Sequence, residues 1–243
     1  MHRFSRLEML VGEAGLSRLQ RAKVAVFGIG GVGSYTAEAL ARSGIGQLLL
    51  VDHDTVSLTN LNRQIHALEG TIGQPKVDLM AERIRQINPD CQVIPRRAFL
   101  QEQNWQALLP ADLSYVVDAI DTVSSKLLLV EKCRDLSIPI ICSMGAGNKL
   151  DPTRLTVVDI SETHTDPLAR VMRRELRQRG IERGVKVVYS SEPPITPDAA
   201  VVERLRTAGD IPVHRRLVPG SSAFVPATAG LIAASVVVRD LLG

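Results

Sequence analysis

A doubly wound α/β fold with a mostly parallel sheet is the fold class that this 243-residue sequence predicts. Three observations carry the prediction. Short apolar runs alternate with segments of helical periodicity through residues 1–150. The first apolar run leads into the turn Gly28-Ile29-Gly30-Gly31-Val32-Gly33 and then a helical stretch. The second apolar run ends in an acid, Asp52. Alternation of this kind builds a parallel sheet covered by helices on both faces, with ligands at the carboxyl ends of its strands.

Each element follows from local pattern. Lys23-Val24-Ala25-Val26-Phe27 reads as a buried strand, residues 32–43 as a helix and residues 48–51 as the second strand. A long polar loop runs from His53 to about Gly73. Pro75 opens a helix whose apolar face is Val77, Met80, Ala81, Ile84 and Ile87, and which ends before Pro89. Strands follow at 92–95, 115–118 and 138–142, separated by a short helix at 103–109 and a longer one at 124–136. The remainder is less regular. Strands at 154–160 and 185–189 flank a charged helix at 167–179, and Pro193, Pro194 and Pro197 make 190–197 a loop. Helices at 198–207 and 227–242 close the chain. We expect one domain over 1–243, with a nucleotide-binding core at 1–150 and an irregular extension of the same domain at 151–243.

Composition narrows the class of protein. Apolar residues at 45% and charged residues at 23% suit a soluble globular domain. Aromatics at 3% argue against a stacking platform for single strands, and a net charge of +3 permits a polyanionic partner without demanding one. Cys91, Cys133 and Cys142 stand singly, which excludes a zinc ribbon and a disulfide scaffold and suits a reducing cytoplasm. Residues 1–7 lack the apolar core of a signal peptide. The most apolar stretch, 223–238, is broken by Pro226, Thr228 and Gly230 and closed by Arg239-Asp240; a buried terminal helix is expected there, not a membrane span.

Glycines in the turn leave room for phosphate to approach backbone N–H groups at a helix N-terminus, where the helix dipole favours negative charge. Asp52 lies at the spacing at which an acid grips a ribose hydroxyl. An NAD-dependent oxidoreductase would share both features. The next residues separate the two readings. Asp54, Asn60, Arg63 and Gln64 fill the following loop, and Gly73-Gln74-Pro75-Lys76 opens the next helix. A redox dinucleotide needs no such cations, whereas a triphosphate under attack spreads negative charge that fixed cations stabilise. Asp121, in Asp118-Ala119-Ile120-Asp121, falls just beyond a strand end, where a carboxylate can hold Mg²⁺. Singly, a capping Asp121, a solvated Lys76 and a salt-bridged Arg63 are the ordinary readings; the set, in this order after this turn, outweighs them.

With these residues in place the chain resembles the ThiF-type adenylyltransferases, bacterial relatives of the ubiquitin-activating enzymes. The resemblance runs through Gly28–Gly33, Asp52-His53-Asp54, Asn60-Leu61-Asn62-Arg63-Gln64, Gly73–Lys76 and Asp118-x-x-Asp121, in family order. It implies a Rossmann-like ATP-binding fold and a homodimer, with residues 151–243 facing substrate and supporting the dimer. It implies ATP contacts from Gly28, Gly30, Gly31, Gly33, Asp52 (the ribose), Asp54, Asn60, Arg63, Gln64 and Lys76, and Mg²⁺ held by Asp121. Arg63, Lys76 and Asp121 would be catalytic, joined by Arg6, which the family donates to the neighbouring subunit's ATP.

Departures from the family are as informative. Members that activate sulfur carriers usually hold zinc with two C-x-x-C pairs, and those pairs are absent. Thiol-relay members carry a reactive cysteine beyond the magnesium acid; Cys133 and Cys142 have apolar neighbours and read as buried structural thiols. The resemblance is therefore strongest to the branch that dehydrates threonylcarbamoyladenosine in tRNA, to which residues 186–194 and 219–230 are also similar. It implies ATP-dependent cyclisation through an acyl adenylate, with ATP and Mg²⁺ as cofactors and no zinc. Its partners would be the modified tRNA and a second copy of the chain, with a sulfur-transfer protein a further candidate. The alternative is adenylation of a ubiquitin-like sulfur carrier's C-terminal glycine. Arg170, Arg173, Arg174 and Arg177 on the charged helix are candidates for the RNA backbone, with Arg215-Arg216 a weaker pair.

Overall fold

The computed structural model describes residues 1–208 and 219–243. In chain order the elements that build it are α1 (Ser5–Arg21), β1 (Lys23–Phe27), α2 (Gly33–Arg42), β2 (Gln47–Val51), α3 (Lys76–Ile87), β3 (Gln92–Arg96), α4 (Trp105–Leu108), β4 (Tyr115–Asp118), α5 (Val123–Asp135), β5 (Ile140–Ser143), β6 (Leu155–Asp159), α6 (Pro167–Gln178), β7 (Lys186–Ser190), α7 (Ala199–Thr207) and α8 (Phe224–Leu242). The strands form one seven-stranded sheet in the order β3-β2-β1-β4-β5-β7-β6. All neighbouring pairs are parallel except β6 with β7. Strand order reverses between β1 and β4, so the crevice of a doubly wound sheet opens where the glycine turn leaves β1.

Two apolar clusters cover the two faces. One face buries Phe27, Val116, Leu129, Met172 and Leu176 beneath α5 and α6. The other buries Val24, Val26, Leu40, Met80 and Val237 beneath α2, α3 and α8. The strands are buried on both sides, which is why β1, β2, β4 and β5 read as continuous apolar runs. Helix α8 packs on α2, where Gly230 lies against the Thr36 backbone and accepts its hydroxyl at 3.1 Å, and buries Val225, Pro226, Ala229, Ala233 and Val237, while Phe224 and Leu231 stay exposed. By length and composition alone α8 could span a bilayer, but its buried face belongs to this core.

Two differences from expectation have local causes. Helix α1 has no counterpart in the pattern reading. Its apolar residues do not share one buried face, Met9 and Leu10 being exposed where Leu16 and Leu19 are buried, and Gly12, at φ 70° and ψ 171°, kinks it in the middle. Strand β6, antiparallel to β7 at the sheet edge, fits the mostly parallel sheet expected. The short helix expected over 103–109 is one turn, Trp105–Leu108. Arg215-Arg216 lie outside the described residues.

Candidate active site

The glycine turn is built by close approach. Gly28 has φ +86°, and a Cβ there would sit 2.5 Å from the Ala119 carbonyl oxygen; a Cβ on Gly33 would meet the Gly28 carbonyl at 1.7 Å. Larger side chains are therefore excluded at both ends, and β1 and β4 hand their following loops to one another across the crevice. Ala119 N–H donates to the Phe27 carbonyl at 2.8 Å, which continues the pairing past β4.

Asp52, the first residue beyond β2, anchors this turn. One carboxylate oxygen accepts the Ile29 N–H at 2.6 Å and the other accepts the Asp54 N–H at 2.8 Å. Beyond it, residues 54–56 run beside 73–76: Lys76 N–H donates to the Asp54 carbonyl at 3.1 Å and Val56 N–H to that of Gln74 at 2.9 Å. That zipper delivers the Lys76 ammonium, 5% exposed, to the half-exposed Asp54 carboxylate at 2.7 Å.

The intervening loop folds on Asn60, whose side-chain oxygen accepts the Ser57 N–H at 3.1 Å. Its backbone carbonyl accepts the N–H groups of Arg63 and Gln64. The turn lays Arg63 against the glycines, its Cγ 3.4 Å from where a Gly31 Cβ would stand. Arg63 donates to the Thr59 carbonyl at 2.6 Å and to the Asn62 side-chain oxygen at 3.0 Å. Burial lowers its pKa, yet a guanidinium remains protonated at any physiological pH. Gln64 is buried beside Gly30 with an unpartnered side-chain oxygen.

Asp121 is exposed just past β4 and accepts a bond from the Thr122 hydroxyl at 3.3 Å, whereas Asp118 is wholly buried. The pair thus divides into an outward acid and an inward one. An exposed, hard oxygen donor beside a nucleotide crevice suits Mg²⁺, which takes one or two carboxylates and completes its shell with phosphate and water.

Not every expected residue is brought to this edge. The Phe4 ring lies 3.5 Å from where a Gly44 Cβ would stand, at the far end of α2, and Arg3 reaches the Ile87 carbonyl at the far end of α3. Arg6, exposed two residues beyond Phe4, therefore stands near the amino edge of the sheet, away from its own chain's glycine turn. Arg170, Arg174 and Arg177 share one exposed face of α6 at i, i+4 and i+7. Arg174 pairs there with Glu175 at 2.8 Å. Arg173 points elsewhere and donates to the carbonyl and hydroxyl of Thr163.

The three thiols are buried. Burial pushes Cys91 up to about 11 and Cys133 up to about 12, the latter also beside the Asp118 carboxylate, and Cys142 is raised well above its usual value for the same two reasons. None has the electropositive, accessible setting of a nucleophile. Pattern reading missed His66, buried with both ring nitrogens unpartnered, and Lys126, fully buried in α5. A lysine preceding Leu127-Leu128-Leu129-Val130 was the available signal for the second.

Glycine turn, anchoring acid, adjoining cations and an outward carboxylate at a strand-order reversal belong to the Rossmann-like nucleotide-binding class. The chain belongs to the ThiF family, whose signature spans residues 4–243. It is 50% identical over 242 residues to the tRNA threonylcarbamoyladenosine dehydratase of Bacillus subtilis (strain 168), covering 100% of this chain and 95% of that one. Identity to the Escherichia coli (strain K12) dehydratase is 40% over 250 residues, with 99% and 93% covered. The crystal structure of the E. coli tRNA N6-threonylcarbamoyladenosine dehydratase TcdA in complex with ATP superposes with a TM-score of 0.86 at 39% identity, over 99% of this chain and 93% of that one. Similarity to the molybdopterin-synthase adenylyltransferase of Salmonella typhimurium (strain LT2) is 38% over 137 residues, 56% of this chain and 54% of that one.

Proposed function

We propose that this protein is an ATP-dependent dehydratase that cyclises threonylcarbamoyladenosine in tRNA. The observation that carries the reading is end-to-end similarity to the Bacillus subtilis dehydratase, 50% over 242 residues, on a chain whose ATP constellation is unbroken. The sulfur-carrier alternative rests on a likeness that leaves 44% of this chain unmatched, 100 less the 56% covered, and on relatives that usually carry the C-x-x-C pairs missing here.

The chemistry follows from the substrate. A threonyl carboxylate is a poor acyl donor because oxide is a poor leaving group. Its oxygen attacks the α-phosphorus of ATP, the bond to the bridging oxygen breaks, and pyrophosphate departs to leave an acyl adenylate. A nitrogen or oxygen of the same side chain then attacks the acyl carbon, loses its proton and expels AMP with the former carboxylate oxygen. The tRNA has lost one water, and ATP has become AMP and pyrophosphate. A tethered nucleophile has a high effective concentration, so no enzyme thiol is needed.

In this scheme Asp52 holds the ribose while keeping the glycine turn in place, and a carboxylate with two N–H bonds still has lone pairs to spare. Arg63 and Lys76, with Asn60 and Gln64, hold phosphate oxygens, and Asp54 keeps the Lys76 ammonium extended until nucleotide arrives. Asp121 would hold Mg²⁺, which would neutralise charge on the phosphates. Arg6 reaches the ATP of a neighbouring copy in a homodimer, because its own site lies across the sheet. Arg170, Arg174 and Arg177 contact the RNA backbone, in the cytoplasm where tRNA resides. Pyrophosphate exchange driven by modified tRNA supports the reading; exchange driven only by a carrier protein's C-terminal glycine overturns it.

A further inference from the structure

We propose that Lys126 is the positioning residue of the magnesium-binding loop: from α5 it clamps the loop that carries Asp121 to the end of β5. The inference rests on the assignment of Mg²⁺ to Asp121 and goes beyond it.

Lys126 and Asp118 are each 0% exposed, and the ammonium lies 2.8 Å from the Asp118 carboxylate. Its hydrogen bonds go to the Ser143 carbonyl at 2.9 Å and the Ile120 carbonyl at 3.2 Å, while Asp118 is held by charge alone, the carboxylate oxygen nearest the ammonium making no hydrogen bond. Those acceptors have one thing in common. The β4–β5 ladder ends at Asp118↔Cys142, and Ile120 and Ser143 stand just beyond it, where the backbones diverge around the crevice. Lys126 replaces the pairing that the sheet can no longer supply.

The rest of the loop is held from the other side. Asp118 accepts the Ile120 N–H at 3.1 Å, and Ala119 is bonded to Phe27 and packed on Gly28. Residues 118–120 are thus gripped between β1 and Lys126, and Asp121 is the next residue out. A buried ion pair is a poor way to gain stability, because apolar side chains of equal volume fill such a space at least as well. Its use here is geometric, since it sets where Asp121 stands relative to the glycine turn. A displacement of about 1 Å in such a group is enough to cost orders of magnitude.

ATP affinity measured by calorimetry, with Mg²⁺ and with EDTA, reads this directly and without tRNA. The test variant is Asp118→Asn combined with Lys126→Met, which removes both charges and leaves no buried ion unpaired. Wild-type protein is expected to bind ATP more tightly with Mg²⁺. In the folded double variant, affinity in EDTA stays close to wild type while the Mg²⁺ enhancement falls by about tenfold or more. An unchanged enhancement in the folded variant overturns the proposal. If the double variant does not fold, Lys126→Arg keeps the charge and is read the same way, loss of enhancement supporting the proposal and retention overturning it. Absence of any enhancement in wild type would instead sink the Asp121 assignment on which the proposal rests.

Discussion

The Asp52 carboxylate accepts the Ile29 N–H at 2.6 Å, so the acid that closes β2 also fixes the turn that follows β1. With Asp52 proposed to hold the ribose, nucleotide affinity and local stability are expected to be coupled at one side chain. Asp52→Asn puts an amide N–H₂ where a backbone N–H must be accepted. It is expected to weaken ATP binding by about tenfold or more, the cost of a hydrogen bond to a charged group, and to lower unfolding free energy by about 1–3 kcal/mol. Calorimetric titration and urea unfolding of the same variant check both.

Cations and their placement give the second prediction. Lys76→Ala and Arg6→Ala are each expected to lower pyrophosphate exchange by about 100-fold or more, the cost of one preorganised transition-state donor. Because Arg6 stands at the opposite edge from its own glycine turn, mixing the two variants should regenerate active sites in hybrid dimers. Restored exchange on mixing is the expected result, and its absence in a verified hybrid would falsify sharing between subunits.

Acid should weaken the fold through His66. Its pKa falls from the usual 6.5 to about 4, because burial disfavours the imidazolium and the Lys76 and Arg83 charges add to the penalty. Below pH 6.5 the unfolded chain then binds more protons than the folded one, so stability is complete above that pH and is lost as pH falls towards 4. Integrated, the loss approaches about 3 kcal/mol. A folded His66→Met variant should lose less stability than wild type between neutral pH and pH 4.5, measured by urea unfolding at each pH; parallel curves would contradict this.

On α6 the arginines divide by setting, Arg170, Arg174 and Arg177 being exposed and Arg173 bonded to Thr163. Arg170→Glu with Arg177→Glu should raise the KM for modified tRNA and flatten its salt dependence by about one unit of log–log slope per lost contact, while ATP affinity holds. Arg173→Ala should leave the tRNA KM alone and cost about 1 kcal/mol of stability through its Thr163 bonds. Steady-state kinetics at several salt concentrations separates the two.

What pattern made legible, and what it could not, follows from the range of each interaction. Gly28, Asp52, Asn60 and Arg63 lie just past strand ends or in the loops that follow, and Lys76 opens α3, so their placement depends on short-range geometry. The parallel core was equally readable, because strands buried on both faces are written as apolar runs. The apolar run after Lys126 signals its burial but not its partners, since Asp118, Ile120 and Ser143 meet only once β4, β5 and α5 have packed. Arg173 looked equivalent to Arg170 for the same reason: only the packed Thr163 distinguishes them. Helix α1 escaped because Gly12 breaks it in the middle and because its apolar residues Met9 and Leu10 face away from the side that buries Leu16 and Leu19.

Mass spectrometry of tRNA carrying threonylcarbamoyladenosine, incubated with the purified protein and ATP, tests the central claim most directly. The account predicts that the modified nucleoside loses one water for each AMP released, and that omitting ATP or introducing Lys76→Ala prevents the loss. Unchanged nucleoside mass, with adenylation appearing only on a sulfur-carrier protein, would contradict it.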